Sequence, residues 1–227
     1  LAIFATVAGV ATSLGMATLQ MTSGFNYLFG VPITDLTKII VISVVTFLFM
    51  ISAVTGLDKG IKILSNANIT LCGILMVLAL ILGPTVLILN NLTNGFGLYL
   101  STVVQDSFRI TSEPWYGWWT IFYWAWWIAW APFVGTFIAR ISRGRTIKEF
   151  VGGVLLAPTI ASFVWFAIFG TLGMNTGLEV GQEAIKSTST ALFVVLEHYP
   201  IGNLISLIAV VLLSTFFVTS ADSATFV

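Results

Sequence analysis

Charge is what this sequence has least of. Lysine and arginine number 9, aspartate and glutamate another 9, and together they make up 8% of 227 residues. Soluble domains carry about 25%. With 58% hydrophobic residues and a mean hydropathy of +1.03, the chain lacks the polar cover a water-soluble surface needs. The apolar residues run in long stretches rather than short alternating ones, which excludes an outer-membrane barrel. Net charge is +0, so no basic field recruits a nucleic-acid partner. The single cysteine, Cys72, can close no internal disulfide and reads as a small packed residue. The single histidine, His198, sits beside Tyr199 and Pro200 with no second metal-ligand type at a useful spacing. No Gly-rich phosphate loop, HExxH or nucleophile–base–acid set is present, so nothing points to an enzyme. There is no initiator Met, basic n-region or cleavage site, and both ends fall inside apolar runs. The chain reads as an internal fragment of a larger protein.

What is present is length. A spanning helix takes about 20 apolar residues, and six stretches qualify: 1–22, 35–56, 65–90, 118–140, 148–172 and 201 to the end. The expected fold is therefore an all-α polytopic membrane protein. Gly9 and Gly15 in the first stretch, with Ala5, Ala8, Ala11, Thr12 and Ser13, suit close helix packing in lipid. Gly24, Gly30 and Pro32 are expected to open the connection after it, and GLDKGIK to form a turn after the second. Gly83–Pro84 is expected to kink the third. Residues 95–109 place Phe96, Leu100 and Val103 on one side and Ser101, Thr102, Gln105, Asp106 and Arg109 on the other. That pattern predicts an amphipathic helix on the membrane surface or against other helices. Residues 173–200 form a polar connection.

The few positive charges set an orientation. Lys59, Lys62, Arg140, Arg143, Arg145 and Lys148 fall in two connections on one side, 57–64 and 140–148, which is then cytoplasmic. Lys38, Arg109 and Lys186 are spread over the other side, placing 91–117 and 173–200 outside.

Against this background the stretch WWTIFYWAWWIAWAPFVGTFIARISRGR stands out. Trp124, Trp126, Trp127 and Trp130 lie within seven residues. Rows at three- and four-residue spacing put them on neighbouring faces of one helix. The cluster reaches about 9–18 Å along the helix from Trp118, too deep for headgroup anchors alone. Aromatic faces attract cations, quaternary ammonium above all. Lipid-facing or helix-packing aromatics are the plainer alternative. The last helix contributes Thr219 and Ser220, whose adjacent hydroxyl oxygens suit an alkali cation. Such hydroxyls also bond back to their own helix. Asp222 is the one acid placed within a span, a candidate intramembrane functional acid. Thr6 and Thr12 carry the same hydroxyl ambiguity.

FYWAWWIAWAPFVGTFIARISRGRTIKEF resembles the signature region of the betaine/choline/carnitine transporter family. SLGMATLQMTSGFNYLFGVP, KGIKILSNANITL and FFVTSADSA are similar to it as well, so the resemblance covers nearly the whole chain. It implies a partial inverted-repeat, LeuT-like transporter core of six transmembrane helices plus one amphipathic surface helix, matching family helices five to ten. Residues 1–90 would be the last three helices of the first repeat, 91–117 the outer helix and its connection, and 118–227 the first three helices of the second repeat. The outer helix contributes to trimer contacts in the family, so a homotrimer is implied.

Residue by residue, the resemblance makes Trp127 part of the central substrate box and Trp124, Trp126 and Trp130 the lining of the path. Thr219 and Ser220 match side-chain ligands of one sodium site. Thr6 and Phe133 match members of a second, where a further threonine is expected and this chain has Val10. Sodium-independent exchangers of the family can carry an arginine at the position of Asn68. The uncharged Asn68 favours ion coupling. The expectation is a sodium symporter importing a quaternary ammonium osmolyte, glycine betaine first, with no cofactor beyond the coupling ion. Alternatives are a proton-coupled or sodium-independent choline or carnitine carrier and a non-transporting membrane sensor. Without the remaining helices the chain is not expected to transport by itself.

Overall fold

The computed structural model describes residues 2–55 and 58–225, with the side chains of 2, 52–55, 58–62, 141 and 222–225 excepted. The described chain is helical almost throughout. In order the helices are α1 (Ala2–Phe29), α2 (Asp35–Thr55), α3 (Asp58–Leu82), α4 (Thr85–Ser107), α5 (Phe122–Ile141), α6 (Ile147–Asn175), α7 (Leu178–Lys186), α8 (Ala191–Glu197) and α9 (Gly202–Thr225). Among the described residues, five stretches are long and apolar enough to cross a membrane: Ile3–Phe29, Ile63–Leu82, Tyr116–Arg140, Ile147–Asn175 and Gly202–Ala221. The expected span over 35–56 is the 21-residue α2, whose C-terminal side chains lie outside the described residues.

The outward faces suit lipid. Leu36, Ile39, Ile40, Phe47 and Met50 on α2, with Leu155, Leu156, Ile160 and Phe166 on α6, are all more than half exposed. In water such a surface would be an aggregation hazard. In a bilayer it meets hydrocarbon, while the helices satisfy their own backbone groups.

Local chemistry sets the breaks, and several differ from those expected. Gly24 does not end α1. The helix runs on to Phe29 and stops where Gly30 takes φ 67, a conformation that favours glycine. Asn26 Nδ2 then donates to Val31 O at 2.9 Å and closes the end. The backbone is already helical from Asp58, so most of GLDKGIK, expected as a turn, belongs to α3. Gly83–Pro84 ends a helix instead of bending it. Pro84 has no N–H to continue the ladder, α3 stops at Leu82, and α4 starts at Thr85. Thr85 Oγ1 donates to Leu80 O at 2.7 Å, satisfying a carbonyl the break leaves over. The boundary drawn at residue 91 therefore falls inside α4, which absorbs most of the expected amphipathic helix. Its Phe96 and Tyr99 pack edge-on against Phe163 of α6, with ring centroids 5.3 and 5.1 Å apart. The polar connection 173–200 holds α7 and α8.

α9 is the hub. It packs against α1, α2, α3 and α8. Its Ile205, Ala209, Val210 and Leu212 join Leu75, Ala79, Ile88, Leu172, Phe193 and Leu196 in the main core. A smaller cluster of Ala17, Met21 and Val45 ties α1 to α2. α5 packs on α1, and this contact positions the aromatic cluster.

Candidate functional site

α1 sets how α5 faces. Ser13 is buried, and its Oγ accepts hydrogen bonds from Nε1 of both Trp126 and Trp130, each at 3.0 Å. The two indoles are four residues apart on α5, so they form one row. Gly9, a turn before Ser13, leaves room for the Trp130 ring. A Cβ built there would stand 3.3 Å from Trp130 Cδ1 and 3.4 Å from its Nε1. The row continues into Phe133, which is 5% exposed and meets Trp130 edge to face at 5.3 Å. Gly9 lies opposite Trp130 and Ser13 opposite Trp126. Thr6 is half-buried on the same helix, before Gly9.

The other two tryptophans point elsewhere. Trp124 and Trp127 are 68% and 67% exposed. The sequence suggested one broad wall of four. The structure divides it into a row seated on α1 and a pair on the free side of the helix. The entry to α5 is unusual too: Tyr116–Ile121 forms a π-helical turn, a rare geometry often found near functional sites. Pro132 lies inside α5.

A second group of side chains meets this row from α3 and α9. Trp130, Phe133 and Phe137 share a cavity of about 330 Å³ with Ser65, Asn68, Ile69, Phe216, Thr219 and Ser220. Asn68 is 1% exposed. Its Nδ2 donates to Thr219 Oγ1 at 3.3 Å, while its buried Oδ1 has no hydrogen-bond partner. A buried amide oxygen without a partner is costly and demands an explanation. Thr219 Oγ1 donates to Phe216 O at 2.8 Å. The hydroxyl thus bonds back to its own helix while its oxygen accepts from Asn68. Oxygen-bearing side chains of α3 and α9 therefore share the cavity with the rings of α5 and with Phe216 of α9.

Of the residues singled out from the sequence, Trp130, Phe133, Thr219 and Ser220 come together here, joined by Asn68. Trp126 is linked through Ser13. Trp124 and Trp127 are outside the cavity. Val10, half-buried on α1, supplies no oxygen beside Thr6. The side chain of Asp222 lies outside the described residues. Ser13 is the residue sequence reasoning missed. It was one of several small residues credited with close packing, and its hydroxyl gains meaning only once the register of α1 on α5 is known.

This is a multi-pass helical membrane protein with a mixed aromatic and oxygen-lined cavity between its helices. Residues 1–227 match the model of the BCCT, betaine/carnitine/choline family transporter, and the chain belongs to that family. It is 52% identical over 233 residues to the glycine betaine transporter OpuD of Bacillus subtilis, covering 100% of this chain and 46% of that protein. A probable glycine betaine transporter of Desulfitobacterium hafniense is 45% identical over 231 residues, covering 100% of this chain and 47% of that protein. The ectoine/glycine betaine/proline transporter EctP of Corynebacterium glutamicum is 43% identical over 238 residues, covering 100% of this chain and 38% of that protein. The chain spans somewhat less than half the length of these relatives.

Proposed function

We propose that this chain forms part of the substrate and ion path of a secondary active transporter that imports a quaternary ammonium osmolyte, glycine betaine first, by sodium symport. The observation that carries the reading is the cavity where Trp130 and Phe133 of α5 face Thr219, Ser220 and the unpartnered Oδ1 of Asn68. A trimethylammonium group donates no ordinary hydrogen bond, so π faces are its natural partner, at about 2 kcal/mol or more when desolvated. Trp127 is the principal ring of the substrate box, with Trp124, Trp126 and Trp130 lining the path. The exposure of Trp127 on α5 leaves its face free for a ligand or further helices. Sodium takes oxygen ligands from Thr219 and Ser220, and Asn68 Oδ1 supplies a neutral third. Thr6 and Phe133 form part of a second ion site, weakened by Val10, so a single-sodium stoichiometry is favoured.

Transport proceeds by alternating access in a twelve-helix protein whose inverted-repeat, LeuT-like core is two five-helix repeats, and this chain supplies six of the spans and the outer helix. Sodium and substrate stabilise the same conformation, and their affinities rise together by linkage. The protein resides in the plasma membrane as a homotrimer, with 57–64 and 140–148 cytoplasmic. The names of the relatives support glycine betaine as substrate, and EctP shows that ectoine and proline are within the reach of similar chains.

A sodium-independent exchanger or proton-coupled choline or carnitine carrier is the second reading. The neutral, oxygen-bearing Asn68 speaks against a built-in cation. Betaine uptake into proteoliposomes with and without an inward sodium gradient decides between them. The symport reading expects uptake to collapse without sodium, and undiminished uptake refutes it.

A further inference from the structure

We infer that Ser13 is a positioning residue for the substrate path. It fixes the rotation of α5 by accepting both indole N–H groups of Trp126 and Trp130, with Gly9 providing the space in which the Trp130 ring lies. The inference rests on the transport reading above.

The geometry is specific. One hydroxyl oxygen has two lone pairs, and two indoles claim them at 3.0 Å each. Both donors belong to the same helix a turn apart, so the pair resists rotation of α5 about its own axis in a way a single bond would not. An indole N–H in a low-dielectric seam has no water to fall back on. Ser13 is 8% exposed, so water does not readily replace it as acceptor. Trp127 lies between the two seated residues in sequence and about a quarter turn round the helix from their row. Its direction therefore follows from the seat. Trp130 lies on α1 through its N–H edge while its ring lines the cavity with Thr219 and Asn68. Ser13 touches no part of the proposed substrate box itself. It acts through the tryptophans.

The test uses the full-length gene product in proteoliposomes. Ser13→Ala removes the acceptor and is expected to raise the KM for glycine betaine about tenfold, with kcat changed less than about threefold. Ser13→Thr, which keeps the hydroxyl, should bring KM back to within about threefold of wild type. The ultraviolet resonance Raman band that reports indole N–H hydrogen bonding should show the loss of bonds in Ser13→Ala and their retention in Ser13→Thr. Gly9→Ala leaves Ser13 in place but crowds Trp130, and should also raise KM. A wild-type KM in Ser13→Ala overturns the inference, and so does a Ser13→Thr as impaired as Ser13→Ala. If Ser13→Ala does not reach the membrane, Gly9→Ala decides, and a wild-type KM there overturns it. A protein that takes up no betaine in any form refutes the transport reading. The Raman comparison still reports whether Ser13 holds the indoles.

Discussion

Replacing Asn68 by leucine separates a structural amide from an ion ligand. Asn68 is 1% exposed, its Nδ2 meets Thr219 Oγ1 at 3.3 Å, and its Oδ1 has no partner. An unsatisfied buried carbonyl costs about 1–3 kcal/mol, and a neutral hydrogen bond contributes about 0.5–1.5 kcal/mol net. Leucine has the same branching but is larger, the adjoining cavity of about 330 Å³ takes the extra volume, and the loss of both terms should leave the sodium-free protein between unchanged and about 2 kcal/mol more stable. With sodium the sign reverses. An oxygen that desolvates and holds the ion is worth at least about one decade in affinity, or about 1.4 kcal/mol. Asn68→Leu is therefore expected to raise the half-saturating sodium concentration for betaine uptake about tenfold or more. Sodium is expected to raise the melting temperature of the detergent-solubilised protein, and Asn68→Leu should abolish most of that rise, because ligand stabilisation follows occupancy of the folded state. A structural amide predicts the opposite pattern, a protein as stable or more so with unaltered sodium response. A half-saturating sodium concentration within twofold of wild type refutes the ligand role. Asn68→Arg sharpens the result: a guanidinium in the cavity should make uptake independent of sodium.

Three other perturbations follow from the same structure. Trp127→Leu keeps an apolar side chain but removes the π face, and at about 2 kcal/mol the loss should raise the KM for betaine about thirtyfold in uptake assays. Unchanged affinity would reduce the cluster to packing. Val10→Thr adds a hydroxyl one turn from Thr6, and is expected to steepen the sodium dependence of uptake. An unchanged Hill coefficient argues against a second site on this helix. Glu197→Gln weakens the hydrogen bond it accepts from the Tyr27 hydroxyl, one of the ties that hold α8 and the turn before it to the end of α1, along with Ser23–Ser189 at 3.0 Å and the stacked Tyr27 and Phe193 rings. Amide exchange over residues 178–197 should quicken by about fivefold, as expected for losing about 1 kcal/mol of local stability. Unaltered exchange would show that the stacked rings suffice.

Five of the six expected spans recur among the described residues, because length and hydrophobicity alone select them. Their ends were legible only where one residue dominates. Gly30 was an expected breaker and marks a clean boundary, whereas the Thr146–Glu149 capping box that starts α6 went unread in the sequence. Gly24 misled, since a glycine inside an apolar helix of a membrane bundle is tolerated where neighbours pack closely. Gly83–Pro84 was visible as a disturbance, but whether proline bends or breaks a helix depends on what satisfies the freed carbonyls, and Thr85 does so only in the folded arrangement. The tryptophan cluster was visible as a cluster and invisible as a geometry. Helical spacing places rows on α5, but only α1 tells which row is seated and which is free.

That division bears on coupling. In the proposed transporter, the ion oxygens lie on α3 and α9, and the substrate box draws its main ring from α5. Trp130 is the residue shared by these regions. Its N–H is held by Ser13 on α1, its ring meets Phe133 at 5.3 Å, and the same ring faces the cavity of Thr219 and Asn68. An ion that draws Thr219, Ser220 and Asn68 Oδ1 inward changes the wall against which Trp130 packs. Packed rings respond by discrete repacking rather than gradual yielding. Trp130 and Trp126 share one acceptor, so a shift at one is felt by the other, and the aim of Trp127 changes with the turn of the helix that carries all three. Linkage requires only that both ligands favour one setting of this seam. A serine hydroxyl bonded to two indoles, with a glycine making room beside it, gives the seam a setting to favour.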